Sequence, residues 1–108
     1  MAWVYLVAAG ITEIIWAIGL KHSDGFKKPA PSIFTVVVML LSFALLSQAM
    51  RRLPLGTSYA VWTGIGAVGT VVYGMLRLSE PRDIPRIVCL ALIVGGIIGL
   101  KALTPAEQ

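Results

Sequence analysis

The chain has 108 residues, 57% of them hydrophobic and only 13% charged, with a mean hydropathy of +0.87. That balance excludes an ordinary soluble domain of this size and places the chain in a membrane. The net charge of +4 comes from basic residues scattered over loops at both faces. Such scatter suits anionic lipid headgroups and argues against nucleic acid as a partner.

Four apolar runs free of Lys and Arg occupy residues 2–20 (AWVYLVAAGITEIIWAIGL), 32–50, 57–76 and 87–100. A helix of roughly 20 residues, rising about 1.5 Å each, crosses the roughly 30 Å hydrocarbon layer. The fourth run is short, but reaches that length if Lys101 snorkels outward and the helix continues to about Thr104. The chain is therefore expected to be an all-α membrane protein, a single four-helix transmembrane domain over residues 1–108. Its spans are expected at about 2–20, 32–50, 57–76 and 86–104. Between them, KHSDGFKKPAP, RRLPLG and RLSEPRDIPR hold most of the charge and five of the six prolines, and read as tight loops.

The first span is read as a retained helix rather than a signal peptide. No basic residue precedes it, it carries a glutamate, and it is longer than a usual signal core. Four spans put both termini on the face of the middle loop, with Arg51, Arg52 and Lys101. The opposite face holds Lys21, Lys27, Lys28, Arg77, Arg82 and Arg86, so the positive-inside rule favours termini outside.

Glu13 interrupts the first span roughly 15 Å along its axis, near the bilayer midplane. A carboxylate at that depth costs about 2.5 to 3.5 kcal/mol on insertion scales, and such residues usually serve ion, proton or substrate pathways. The alternative is a protonated side chain that only bonds another helix. Gly10 and Trp16 lie about 60° either side of Glu13 around the helix. Gly10 is expected to remove bulk above the carboxylate. Trp16 either offers a π surface to a cation or packs in the core.

In the second span Ser42 lies at a depth comparable with Glu13. Its hydroxyl is expected either to bond that carboxylate or to turn back on its own helix carbonyl. In the third span YAVWTG places Tyr59 and Trp62 on one face, where they either flank a cation or belong to an interfacial aromatic belt. The adjoining GIGAVG matches GxGxxG, but lies inside an apolar run with no strand before it. Its glycines suit close packing or a bend. Ala91, Gly95 and Gly99 recur every four residues in the fourth span, a small-residue stripe where another helix can approach. With only four short helices available, another copy of the chain is the favoured partner. His22 and Cys89 stand alone as potential ligands, so no metal site and no cofactor is expected. No nucleophile and base pair supports an enzyme.

The segments WAIGLK, LLSQAM, LPLGTSYAVWTGIGAVG and GIIGLK resemble the small multidrug resistance family, and within it the guanidinium-exporting subtype. The resemblance covers nearly the whole chain. It implies an antiparallel homodimer acting as a proton-coupled antiporter in the bacterial inner membrane, with both copies of Glu13 lining one shared site. It assigns Glu13 to substrate and proton binding, Gly10, Trp16, Ser42, Tyr59 and Trp62 to the pocket, and the stripe of Ala91, Gly95 and Gly99 to the dimer seam. The expected partners are guanidinium or a related organic cation, protons, membrane lipid and the second copy. A multidrug exporter of quaternary ammonium or aromatic cations is the nearer alternative, and a non-transporting accessory subunit the more distant one. Arg77 departs from the apolar residue the resemblance leads one to expect; either it snorkels into headgroups or this copy pairs with a differently oriented relative.

Overall fold

The computed structural model describes residues 2–104 as four helices: α1 (Ala2–His22), α2 (Pro29–Met50), α3 (Leu55–Arg77) and α4 (Ile84–Leu103). Each is long and apolar enough to cross a membrane. A helix satisfies every interior backbone group within itself, which hydrocarbon requires. Three helices start before the apolar runs because their first turns tolerate proline, whose fixed φ suits a helix start and whose missing N–H would have been unpaired anyway. Thus α2 begins at Pro29, α3 follows Pro54 and α4 carries Pro85 in its first turn. The fourth helix accordingly runs from Ile84 to Leu103 rather than over 86–104, and Thr104 caps it through its N–H to the Leu100 carbonyl. Arg77 is the last residue of α3 and is exposed, a position where a cation complements the helix dipole.

The turns are short and bonded. After α1, Ser23 is fully buried; its hydroxyl donates to the Leu20 carbonyl at 2.7 Å and accepts from the Phe26 N–H at 3.2 Å. Asp24, Gly25 and Phe26 follow with φ of 53°, 69° and 66°. After α3, the Gly74 carbonyl accepts the N–H groups of both Leu78 and Glu80. Before α4, the Arg86 guanidinium donates to Asp83 at 2.8 Å and holds that carboxyl below its ordinary range.

In the bundle α1 is central, packing against both α2 and α3, whereas α2 and α3 meet only slightly and α4 lies along α3. Near one end, Ala2, Leu6 and Ala9 of α1 meet Leu46 and Ala49 of α2, Leu53 of the turn, and Val61 and Trp62 of α3. Lipid tails are as apolar as leucine, so this core is held by van der Waals fit rather than by exclusion of water. Fit explains the glycines. A Cβ on Gly10 would stand 2.7 Å from Cβ and Cγ2 of Ile65, and one on Gly64 would stand 2.8 Å from Cδ1 of Ile97. Close approach of α3 to α1 and of α4 to α3 depends on these bare positions.

The α4 helix buries no residue, and Leu92 and Ile98 are strongly exposed. Ala91 and Gly95 are exposed, and nothing lies within 4 Å of a Cβ built on Gly95 or Gly99. Within one protomer the small-residue stripe is therefore unfilled.

Gly10→Val is expected to destabilise the protomer by about 1–3 kcal/mol, because the colliding atom is a Cβ that cannot swing aside. Gly95→Ala, where a Cβ meets nothing, should leave stability unchanged or raise it by up to about 1 kcal/mol. Thermal loss of helical circular dichroism, in a detergent that keeps the chain monomeric, separates the two.

Candidate functional site

Glu13 sits in the middle third of α1 and is half-buried. Its Oε1 is buried without a hydrogen-bond partner among the described residues. The room for it comes from α3. A Cβ built on Gly66 would collide with Oε1 and the carboxyl carbon, and would stand 2.8 Å from Cγ. Gly10, expected to open space above the carboxylate, instead faces Ile65. The two glycines lie on opposite helices at one crossing, and only the contact between helices decides which of them clears the acid.

Ser42 takes neither of the two roles expected of it. Its fully buried hydroxyl donates to the Ala9 carbonyl of α1 at 2.8 Å and accepts from the Trp62 indole N–H of α3 at 3.0 Å. A hydroxyl has one proton to donate, so this bond to Ala9 leaves none for Glu13. By the i to i−4 pattern of α1, Ala9 is also the carbonyl that receives the Glu13 N–H. The Thr12 hydroxyl, 2.8 Å away, shares that carbonyl. Ser42 thus ties α2 and α3 to the turn of α1 that carries the carboxylate.

Trp62 is 8% exposed, which removes it from an interfacial belt, whereas Tyr59, one turn earlier, is 56% exposed. Rings continue across three helices. Trp16 meets Phe43 edge-on with centroids 6.5 Å apart, Phe43 meets Trp62 at 5.7 Å, and Trp62 meets Tyr59 at 5.7 Å. The Trp16 ring also packs on the core, and its Nε1 is buried without a partner. Both readings of Trp16 thus keep support.

The structure links Trp16, Trp62 and Tyr59 through Phe43 and joins Ser42 to Trp62, while Glu13 meets α3 at Gly66. It adds Phe43 and Gly66, which the sequence reading missed. Phe43 lay beside Ser42 as one more apolar residue. Gly66 lay in a motif read for close packing or a bend. No cluster of three or more potential metal ligands occurs among the described residues. Chemically the arrangement is a lone acid with an unpaired acceptor among the described residues, one helical turn from Trp16, and such an acid suits a small organic cation.

Comparison with known proteins agrees with that chemistry. The family model described as Small Multidrug Resistance protein matches residues 1–93. A protein of Yersinia pestis named a guanidinium exporter is 58% identical over 101 residues, covering 94% of this chain and 97% of the relative. Proteins of Citrobacter freundii and Salmonella typhimurium with the same name are 55% identical over 104 residues, covering 96% and 99%.

Ser42→Ala should leave the Trp62 indole N–H buried and unpaired, at a cost of about 1–3 kcal/mol. Ser42→Thr keeps the hydroxyl and should recover part of that loss. Thermal unfolding in micelles measures both.

Proposed function

Because the chain belongs to the small multidrug resistance family, we propose that it exports guanidinium and related small guanidinyl cations in exchange for protons. On this reading it works across the bacterial inner membrane as an antiparallel homodimer. It is a multi-pass transporter and not an enzyme. The observation that carries the reading is the Glu13 carboxylate, half-buried in mid-helix with Oε1 unpaired. An acceptor left vacant at that depth is costly unless something mobile fills it.

Guanidinium fits this carboxylate. It is planar, remains charged at neutral pH and presents N–H donors in a fork matched to carboxylate oxygens, while its faces stack on aromatic rings. Trp16 and the Phe43, Trp62 and Tyr59 rings supply such faces. Ser42 holds the Ala9 carbonyl and, through it, the turn from which Glu13 projects. Gly66 leaves the carboxyl room to point at its guest.

Exchange follows from charge. A proton on Glu13 cancels the negative charge that attracts the cation, so proton and cation compete for one site. The dimer whose site is neutralised by a proton or a cation exchanges faces more readily than the one whose site is empty and charged. Inward proton flow then drives outward cation movement by alternating access around a site near the midplane. One protomer presents the site as an open face, with Tyr59 and Phe43 exposed, and a second copy would close it. The unfilled stripe of Ala91, Gly95 and Gly99 is the proposed seam between the copies. The openness also keeps the quaternary ammonium reading alive, since an apolar substituent can lie over the exposed Phe43 toward lipid.

In proteoliposomes, guanidinium uptake should follow an imposed proton gradient and exceed uptake of a tetraalkylammonium ion. Uptake of the bulkier cation alone would favour the multidrug reading, and uptake of neither the accessory-subunit reading. Acidification should weaken apparent guanidinium affinity by up to about tenfold per pH unit in the range where Glu13 titrates, as competition requires. Glu13→Gln should lose coupled uptake and lower affinity by roughly 10- to 150-fold, the worth of a charged hydrogen bond of about 1.5–3 kcal/mol. Gly66→Ala should lower affinity about tenfold or more, with helical content unchanged, because its methyl displaces the carboxyl.

A further inference from the structure

A groove of about 410 Å³ runs between the end of α1 and the start of α2, on the bundle flank beside the turn at residues 23–28. Ile18 and Gly19 of α1 line it with Ala30, Pro31 and Phe34 of α2, and His22 stands at its end. It begins as deep as Ile15, so it extends roughly 10 Å along α1 from the membrane surface inward. Its walls are apolar, and the turn beside it is rich in lysine. Lys21 adjoins His22, and Lys27 and Lys28 lead directly into α2. Among the described residues none of these three lysines is ion-paired, although exposed Asp24 belongs to the same turn.

The turn itself holds an unusual shape. Phe26 has φ of 66°, a left-handed conformation that a bulky residue adopts at a cost, and its side chain is 53% exposed. An aromatic ring held in this way packs little against protein and is placed for the headgroup region. The uncapped N-terminus of α2 adds the positive end of a helix dipole to the same place.

We propose that this turn and groove form a binding site for one anionic phospholipid. Its phosphate is held by Lys21, Lys27 and Lys28, an acyl chain lies between Ile18 and Phe34, and Phe26 packs at the glycerol level. The opposite face, with exposed Arg51 and Arg52, carries similar charge at a distance from this groove and provides the control. The site is independent of the cation site and of what that site carries.

The test is native mass spectrometry of the full chain released from micelles containing equal amounts of dioleoylphosphatidylglycerol and dioleoylphosphatidylcholine. The parent should retain the glycerol lipid at least fivefold over the choline lipid. Lys27→Gln with Lys28→Gln should abolish that preference, while Arg51→Gln with Arg52→Gln should keep it. Ala30→Trp, an exposed position lining the groove, should lower retention of both lipids severalfold. Equal retention of the two lipids by the parent would overturn the proposal, as would equal loss of preference in both charge variants. A fall in dimer mass with unchanged lipid in Ala30→Trp would also overturn it, assigning the groove to contact between copies. Helical circular dichroism of each variant establishes that the comparison is between folded proteins.

Discussion

The site depends on how closely α3 approaches α1. Where the two helices cross, Gly10 receives Ile65 and Gly66 receives the Glu13 carboxyl, so each helix offers a bare backbone where the other brings bulk. In lipid there is little hydrophobic drive to press helices together, and contact at van der Waals distance is the main source of cohesion. Glycine costs helix stability, roughly 1 kcal/mol relative to alanine in water, and here that cost is offset by the approach it permits. The same crossing packs the bundle and makes the space that the Glu13 carboxyl occupies.

Around that crossing the polar groups fall into two kinds. Ser42, Trp62 and the Ala9 carbonyl satisfy one another, and together fasten α2 and α3 to the carrier turn of α1. Glu13 Oε1 and Trp16 Nε1 remain unpaired. Satisfied buried networks rigidify, while unsatisfied groups store a demand for a partner. The proposed transport role uses both: a frame that keeps the acid in place, and an acid free to take a proton or a cation.

Beyond the site the protomer is thinly packed. The α4 helix rests mainly on α3, with Gly64 admitting Ile97, and reaches α1 at its end, where Lys101 lies 5.2 Å from the Trp3 ring centre. Large apolar side chains on α2 and α4 face outward, as expected where the solvent is hydrocarbon. One protomer therefore presents several unfilled surfaces of different character. The stripe on α4 is flat and small, whereas the groove beside the α1–α2 turn is apolar below and cationic above. The first suits a helix and the second a lipid.

Much of this was legible in the sequence, and the rest was not for a definite reason. Run length and the absence of lysine and arginine gave four spans, since the thickness of the bilayer sets how many apolar residues a helix needs. Distance along a helix is proportional to residue number, so the depth of Glu13 followed by counting. Rotation about the helix axis did not. These helices are apolar nearly all round, leaving no polar face to orient them as in a soluble bundle. Which glycine clears the carboxylate, where the Ser42 proton goes, that Phe43 joins the rings, and that the α4 stripe stays open within the protomer are all matters of azimuth and register. Sequence alone determined the axial coordinate of each group, because the peptide rise is fixed. Tertiary structure alone decided the angular one, because only the fit of side chains across neighbouring helices sets it.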